Sequence, residues 1–304
     1  MKRVLTISLL CFNFICKSQH SPLVSHYMFN AIALNPAYTG SEDAFSIIGS
    51  FRAQWVGFPG APLTQTLTAH TPLKSSKAAM GLQLHADQIG INRRTGVFAS
   101  YAYRLRMNQS TLVFGTSAGV HFMRSFYSKL EGNDAGDESI MNDSPLGVLP
   151  NMSFGIHYYH EKYFFSISLP FFLTHEFDNN AFRLTNNIRN YNLMMGGGYY
   201  FTSRSGKQIK PSILLKYRIE SPLQADFNVM MNLNKSLDIG LSYRTSEAII
   251  ALFKLNANDQ FSIMYSFGLP ISKLIQHSYG SHELSLKYTF LYQSNSTSPR
   301  FIGF

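Results

Sequence analysis

The sequence predicts an all-β fold: a transmembrane antiparallel β-barrel of about 14 strands, preceded by a short plug-like N-terminal segment. Three observations predict it. Charged residues make up 14% of the chain and aromatic residues another 14%, where an ordinary soluble domain carries about 25% charged residues. After the leader peptide no run of 18 apolar residues offers a spanning helix. The rest of the chain alternates apolar and polar positions, in segments matching the about 9–11 residues that a strand needs to cross a bilayer.

The elements follow in order. Lys2 and Arg3 form a positive n-region, Val4 to Cys16 is almost wholly apolar, and Cys16-Lys17-Ser18 offers a cleavage site before Gln19. Residues 1–18 therefore read as a secretory signal peptide, too short to span a membrane. Leu10 and Ile15 precede the two cysteines where a lipoprotein would need a small residue. Both cysteines fall inside this peptide, so neither a disulfide nor a Cys metal site is expected after processing. Processing removes three of the 26 basic residues and none of the 17 acidic ones, leaving +6. No basic run exceeds two residues, so no nucleic-acid partner is expected.

Residues 19–43 follow as a periplasmic or lumenal segment. Ser21 to Gly40 is too polar and too broken by proline to cross lipid, and it precedes the first strand, so it is expected to begin on the periplasmic side. Phe29, Ile32 and Leu34 give it a small apolar face. That face is expected to plug the lumen, docking on a periplasmic partner being the other reading.

The barrel is expected over 44–292. From Leu112 to Phe122 one face reads Leu112, Phe114, Thr116, Ala118, Val120 and Phe122, and the other Val113, Gly115, Ser117, Gly119 and His121. Period-two alternation puts the two sets on opposite faces, and in lipid the apolar face is the outer one. Fourteen such segments run from near Ala44 to one starting near Ser281. The number is even, as single-chain outer-membrane barrels require, and closure pairs every backbone group. Connections after even strands, such as Lys74 to Lys77 and Asn234-Lys235, are short. Those around Trp55 to Leu63, Arg124 to Asn151, Thr174 to Ile188 and Ile271 to Gly280 are long and follow odd strands. Short periplasmic turns and long outer loops are the barrel pattern. Tyr101, Tyr103, Tyr158, Tyr159, Tyr199 and Tyr200 are expected as interfacial girdles. Gly196 to Gly198 marks a bend or a close lumen contact. Residues 293–304 form a C-terminal tail.

Possible chemistry is sparse. His85 and Asp87 share a strand face, and an Asp that orients a His is half of a triad. No nucleophile accompanies them, so a lumenal hydrogen-bond pair is expected rather than a hydrolase. His157 and His160 point to opposite faces of a strand and share no metal. Glu131, Asp134, Asp137 and Glu138 in loop 131–139 could offer oxygens to calcium, but their spacing is irregular and fits a solvated loop. No phosphate loop or nucleophile elbow occurs. No catalytic, cofactor or metal site is expected.

Tyr27-Met28-Phe29-Asn30, Asn35-Pro36-Ala37-Tyr38-Thr39-Gly40, Arg52-x-Gln54-Trp55-Val56-Gly57, Gly60-Ala61-Pro62 and Thr64-Gln65 closely resemble the N-terminal signature of the PorP/SprF family. Gly81 to Gly90 resembles its third strand, and Gly280 to Tyr288 its closing Ser-His-Glu strand. Thr39 stands where the family usually has Ala, and a tail to Arg300 and Phe304 follows Tyr288-Thr289-Phe290, where the family usually ends. The resemblance implies a non-enzymatic membrane protein of type IX secretion in the outer membrane of a Gram-negative bacterium. It implies help for large adhesins or other cargo with a type IX sorting domain in reaching or attaching to the surface. Its other partners would be outer-membrane lipid and periplasmic components of the secretion or gliding machinery. Candidate plug or partner contacts are Tyr27, Met28, Phe29, Asn30, Asn35, Pro36, Tyr38, Gly40, Arg52, Gln54, Trp55 and Phe58. Trp55 and Phe58, in the first outer loop, could contact cargo or fold over the mouth, the other reading being that the loop's Pro and Gly residues only shape a rigid turn. Asn-Pro-Ala is also similar to the hatch of fourteen-stranded fatty-acid barrels, so the other reading is a transporter or porin for hydrophobic compounds or small solutes.

Overall fold

The computed structural model describes residues 25–42, 44–73, 77–129, 142–178, 181–204, 206–219 and 221–290. The signal peptide, loop 131–139 and the tail from 293 lie outside them.

The first seven strands are β1 (Phe45–Ala53), β2 (Leu63–Pro72), β3 (Ala78–Ile89), β4 (Asn92–Arg106), β5 (Ser110–Ser125), β6 (Gly147–His160) and β7 (Tyr163–Leu169). The next seven are β8 (Leu193–Tyr199), β9 (Gln208–Tyr217), β10 (Gln224–Asn232), β11 (Leu237–Arg244), β12 (Ala248–Asn256), β13 (Phe261–Pro270) and β14 (Ser281–Phe290). Phe201–Thr202 continues β8 against β9. Neighbours in sequence pair antiparallel, and β1 also pairs with β14, from Phe45 opposite Phe290 to Ala53 opposite His282. The sheet is thus a closed barrel of the fourteen expected strands, with no free edge along the seam.

Residue polarity follows the alternation. Along β14, Leu284, Leu286 and Tyr288 are exposed or half-buried on the outer wall, while Glu283 and Ser285 are buried inside. The same holds around the circumference: Phe51, Leu67, Val97, Phe227 and Leu241 are exposed, and Ser46, Thr68, Asn228, Arg244 and Ser266 are buried. A wall that is apolar outside and polar inside is the reverse of a soluble fold and fits a barrel in lipid.

The barrel wall and its loops depart from the sequence reading in three places. Tyr159 and Tyr200 are not girdle residues. They pack inward against the lumenal cluster, while Tyr158 and Tyr199, one position away, take the outer face. Two consecutive tyrosines on a strand cannot share a face. The stretch from Thr174 is more than a loop, because Thr174–Asp178 and Ala181–Thr185 form a two-stranded hairpin. The wall is also uneven: β4 and β5 have 15 and 16 residues, β7 and β8 only 7 each. The glycine run does make a close lumenal contact, since a Cβ on Gly198 would lie 2.5 Å from the Phe164 ring.

Candidate functional site

The lumen is filled by residues 25–42. This segment is three single turns of 3-10 helix, His26–Met28, Ala31–Ala33 and Pro36–Tyr38. The third has an N-cap and a proline start: Asn35 Oδ1 accepts from Ala37 N at 2.8 Å, and Pro36 opens the turn. Asn35 Nδ2 also donates to the Ile156 and Ile167 carbonyls, each at 3.3 Å. The turn lies in a notch made by Gly115 and Gly155, which face each other on β5 and β6. A Cβ on Gly115 would overlap Pro36 and Ala37 backbone, and one on Gly155 would overlap the Asn35 carboxamide.

The segment touches much of the inner wall. Tyr27 Oη donates to Asn228 Oδ1 at 3.1 Å on β10, and Asn30 Oδ1 accepts from Thr68 Oγ1 at 3.1 Å on β2. The Tyr38 ring lies 4.2 Å from that of His157 on β6. Gly40, with φ +71°, donates from N to His70 Nδ1 at 3.1 Å, and its carbonyl accepts from Arg104. Met28 is buried in the same cluster, with Phe29 packed against it. Gly40 and Glu42 sit at the periplasmic ends of the strands, but Ser25 and His26 reach Arg52 and Glu283, near the outer ends. The expectation that the segment begins on the periplasmic side is reversed for its described part, which descends from the outer half towards β1.

Two ionic clusters stand in the outer half. In the first, Glu283 Oε2 accepts from Ser25 N at 2.8 Å and Arg52 Nη1 at 3.1 Å, Oε1 accepts from His26 N at 3.2 Å, and Arg52 also donates to Ser25 Oγ. His26 Nδ1 lies 2.5 Å from Ser285 Oγ. In the second, Arg244 donates to both oxygens of Asp226, at 3.0 and 3.1 Å, Lys216 Nζ to one of them at 3.1 Å, and Arg244 Nη1 to Glu247 at 3.2 Å. Buried charges persist only when paired in this way. Burial lowers the His26 pKa, Glu283 raises it in part, and Arg52 lowers it further. For Glu42, burial acts upward, but the Lys287 ammonium and its hydrogen bond hold the carboxyl below its usual range.

The structure separates the candidate residues. Tyr27 to Gly40 all lie in the lumen. Arg52 and Gln54 are also buried, so neither is a surface contact. Only Trp55 and Phe58 belong to the outer loop. That loop is laced to the connection before β14: Trp55 N donates to Ser281 Oγ at 3.1 Å, Val56 N to Gly280 O at 2.8 Å, and Tyr279 N to Val56 O at 2.7 Å. Phe58 stays 43% exposed. His85 is not oriented by Asp87: its Nε2 lies 3.1 Å from His121 Nδ1, while Asp87 sits opposite Arg94. Among the described residues no three His, Cys, Asp or Glu gather as metal ligands. A cavity of about 80 Å³ is lined by Ile32, Leu34 and Pro36 of the segment together with His85, Phe98 and Phe171. Sequence reasoning missed Glu283, Asn228 and Asp226 as segment or cluster partners, although each stands at an inward position of its strand.

A family model described as type IX secretion system membrane protein PorP/SprF matches residues 16–288. The chain belongs to this family. This PorP/SprF protein is an outer-membrane protein, and no curated protein matches it in sequence. Among solved structures, the outer membrane protein Omp33 of Acinetobacter baumannii aligns with TM-score 0.50 at 8% identity, covering 83% of this chain and 100% of that one. The KdgM porin aligns with TM-score 0.38 at 12% identity over 81% of this chain and 99% of that one. Outer membrane phospholipase A from Escherichia coli gives 0.34 at 8% identity, covering 82% and 92%. At these identities the likeness speaks for the fold alone, and of these three it rests on the Omp33 alignment.

Proposed function

We propose that this PorP/SprF barrel is a non-enzymatic accessory of type IX secretion that supports export or surface attachment of large adhesin-type cargo through protein–protein contacts. One observation carries the reading: residues 25–42 fill the lumen and bond to β2, β4, β6, β10 and β14. A barrel stoppered in this way offers surfaces rather than a passage. In this reading residues 19–43 act as the stopper of the 44–292 barrel. The outer loop with Trp55 and Phe58 meets cargo bearing a type IX sorting domain, and the periplasmic turns meet the secretion or gliding machinery. The test is deletion of the gene followed by surface proteomics, with affinity purification of the gently solubilised barrel. Loss of one or more large proteins from the surface, and their recovery with the barrel, is expected. An unchanged surface profile together with solute conductance in reconstituted bilayers would replace this reading with a transporter.

A further inference from the structure

The outer wall carries one electrostatic anomaly. Across the fourteen strands, the outward positions hold only two residues of the Lys, Arg, Asp and Glu types, Arg93 on β4 and Arg124 on β5. The two are register partners, directly opposite one another. Both guanidiniums lie over the Phe126 ring, with Cζ 5.0 and 5.3 Å from its centroid. Like charges opposite one another across a strand pair destabilise a sheet, so this placement calls for an anion. Asp143 answers part of it, 3.7 Å from Arg124 Nη2, which among the described residues leaves the pair with a net positive charge.

Height on the wall identifies the anion. Arg93 is ten positions along β4 from Tyr103, the outward tyrosine at its periplasmic end. Ten residues of strand span about 33 Å, and a tilt of about 40° reduces this to about 25 Å along the membrane normal, the height of the apolar band. Thr95, Val97 and Ala99 below Arg93, and Phe122 and Val120 below Arg124, occupy that band. The arginines therefore face outward at the headgroup level of the outer leaflet. Guanidinium forks match phosphate oxygens bidentately and keep that geometry while stacked on an aromatic ring. We propose that Arg93, Arg124 and Phe126 form a binding site for the phosphate of an anionic outer-leaflet glycolipid. Asp143 fixes Arg124 from the loop side and leaves Arg93 the freer fork.

The test uses the full chain in detergent, titrated with bis-phosphorylated lipid A, the same lipid stripped of phosphate, and inorganic phosphate, and read by native mass spectrometry. The wild-type protein is expected to hold one phosphorylated lipid and to bind the stripped lipid at least tenfold more weakly. R93Q/R124Q is expected to lose that difference. R93K/R124K, which keeps charge but not the fork, is expected to fall between them. R204Q, in a periplasmic turn, serves as the control and is expected to bind like wild type. Heat-modifiable migration verifies that each variant is a closed barrel. Equal binding of both lipids by wild type, or wild-type binding by R93Q/R124Q, would overturn the proposal. Full displacement of the lipid by inorganic phosphate at equal concentration would also overturn it, showing a free-phosphate site.

Discussion

Replacing Gly115 by alanine should loosen the stopper without opening the wall. The added Cβ would meet the carbonyl carbon of Pro36 and the N and Cα of Ala37, all backbone and all nearer than real Cβ contacts allow. No side chain can swing aside, so the Pro36–Tyr38 turn must retreat. Overpacking of this kind costs about 1–3 kcal/mol, and the retreat also strains the two carbonyl bonds of Asn35. Taking about 2 kcal/mol, the population with the segment displaced rises roughly 30-fold. The assay is thiol labelling of Ala31→Cys, a buried site in the segment, with a membrane-impermeant maleimide. The background is low because both natural cysteines lie at or before residue 16. G115A/A31C should label roughly 30-fold faster than A31C alone. Gly49→Ala, whose Cβ would meet nothing nearer than 3.9 Å, should leave the rate unchanged. If G115A/A31C labels within twofold of A31C while the barrel stays folded, the notch does not hold the segment, and the reasoning fails.

The other predictions rest on the charges and the outer loop. Glu283→Gln leaves Arg52 buried without its carboxylate, and removing one partner of a buried pair costs about 3–5 kcal/mol, so its thermal transition should drop sharply on heat-modifiable gels. Because the His26 pKa is depressed in the seated segment, the displaced segment takes up the proton first. Seating is therefore complete above the ordinary value of about 6.5 and weakens as pH falls below it. A31C labelling, divided at each pH by that of a free cysteine peptide to remove the loss of thiolate, should rise between pH 7.5 and 5.5, and His26→Gln should abolish that dependence. Glu42, held below its usual range by Lys287, weakens seating only in more acidic solution and does not confuse this window. Phe58→Ser, at an exposed loop site, should change stability by no more than about 0.5 kcal/mol. Loss of surface cargo in this variant would therefore report a lost contact rather than a misfolded barrel.

Much of the barrel was legible because its code is local. A strand's two faces alternate with period two, so Leu284 and Glu283 declare their sides without any knowledge of neighbours. The alternating segments gave the strand count, and loop lengths sorted by parity gave the side of each connection. Partnership was not legible. That Glu283 binds Ser25 and that Tyr27 reaches Asn228 depends on a segment folding back across the whole circumference, with separations of 258 and 201 residues. No spacing rule spans such gaps. Arg52 was singled out through a motif, but its inward parity already excluded it from the outer surface, as the parity of Tyr159 excluded it from the girdle. The hairpin after β7 was missed because its pairing lies off the barrel, where no bilayer sets the strand length.

Arg52 and Glu283 are register partners across the line where β1 meets β14, and Ser25 bonds to both. The first part of the described chain thus grips the first strand and the last together. A slip of one residue along that line would turn Glu283 out towards hydrocarbon and would strip Ser25 and His26 of their acceptor. The seated segment therefore fits only one alignment of the seam, so its contacts favour that register over its neighbours. A chain shortened before residue 30 would still contain every strand but would lack the piece that measures the join. Its defect would show as barrels that close slowly or out of register, before any partner is met.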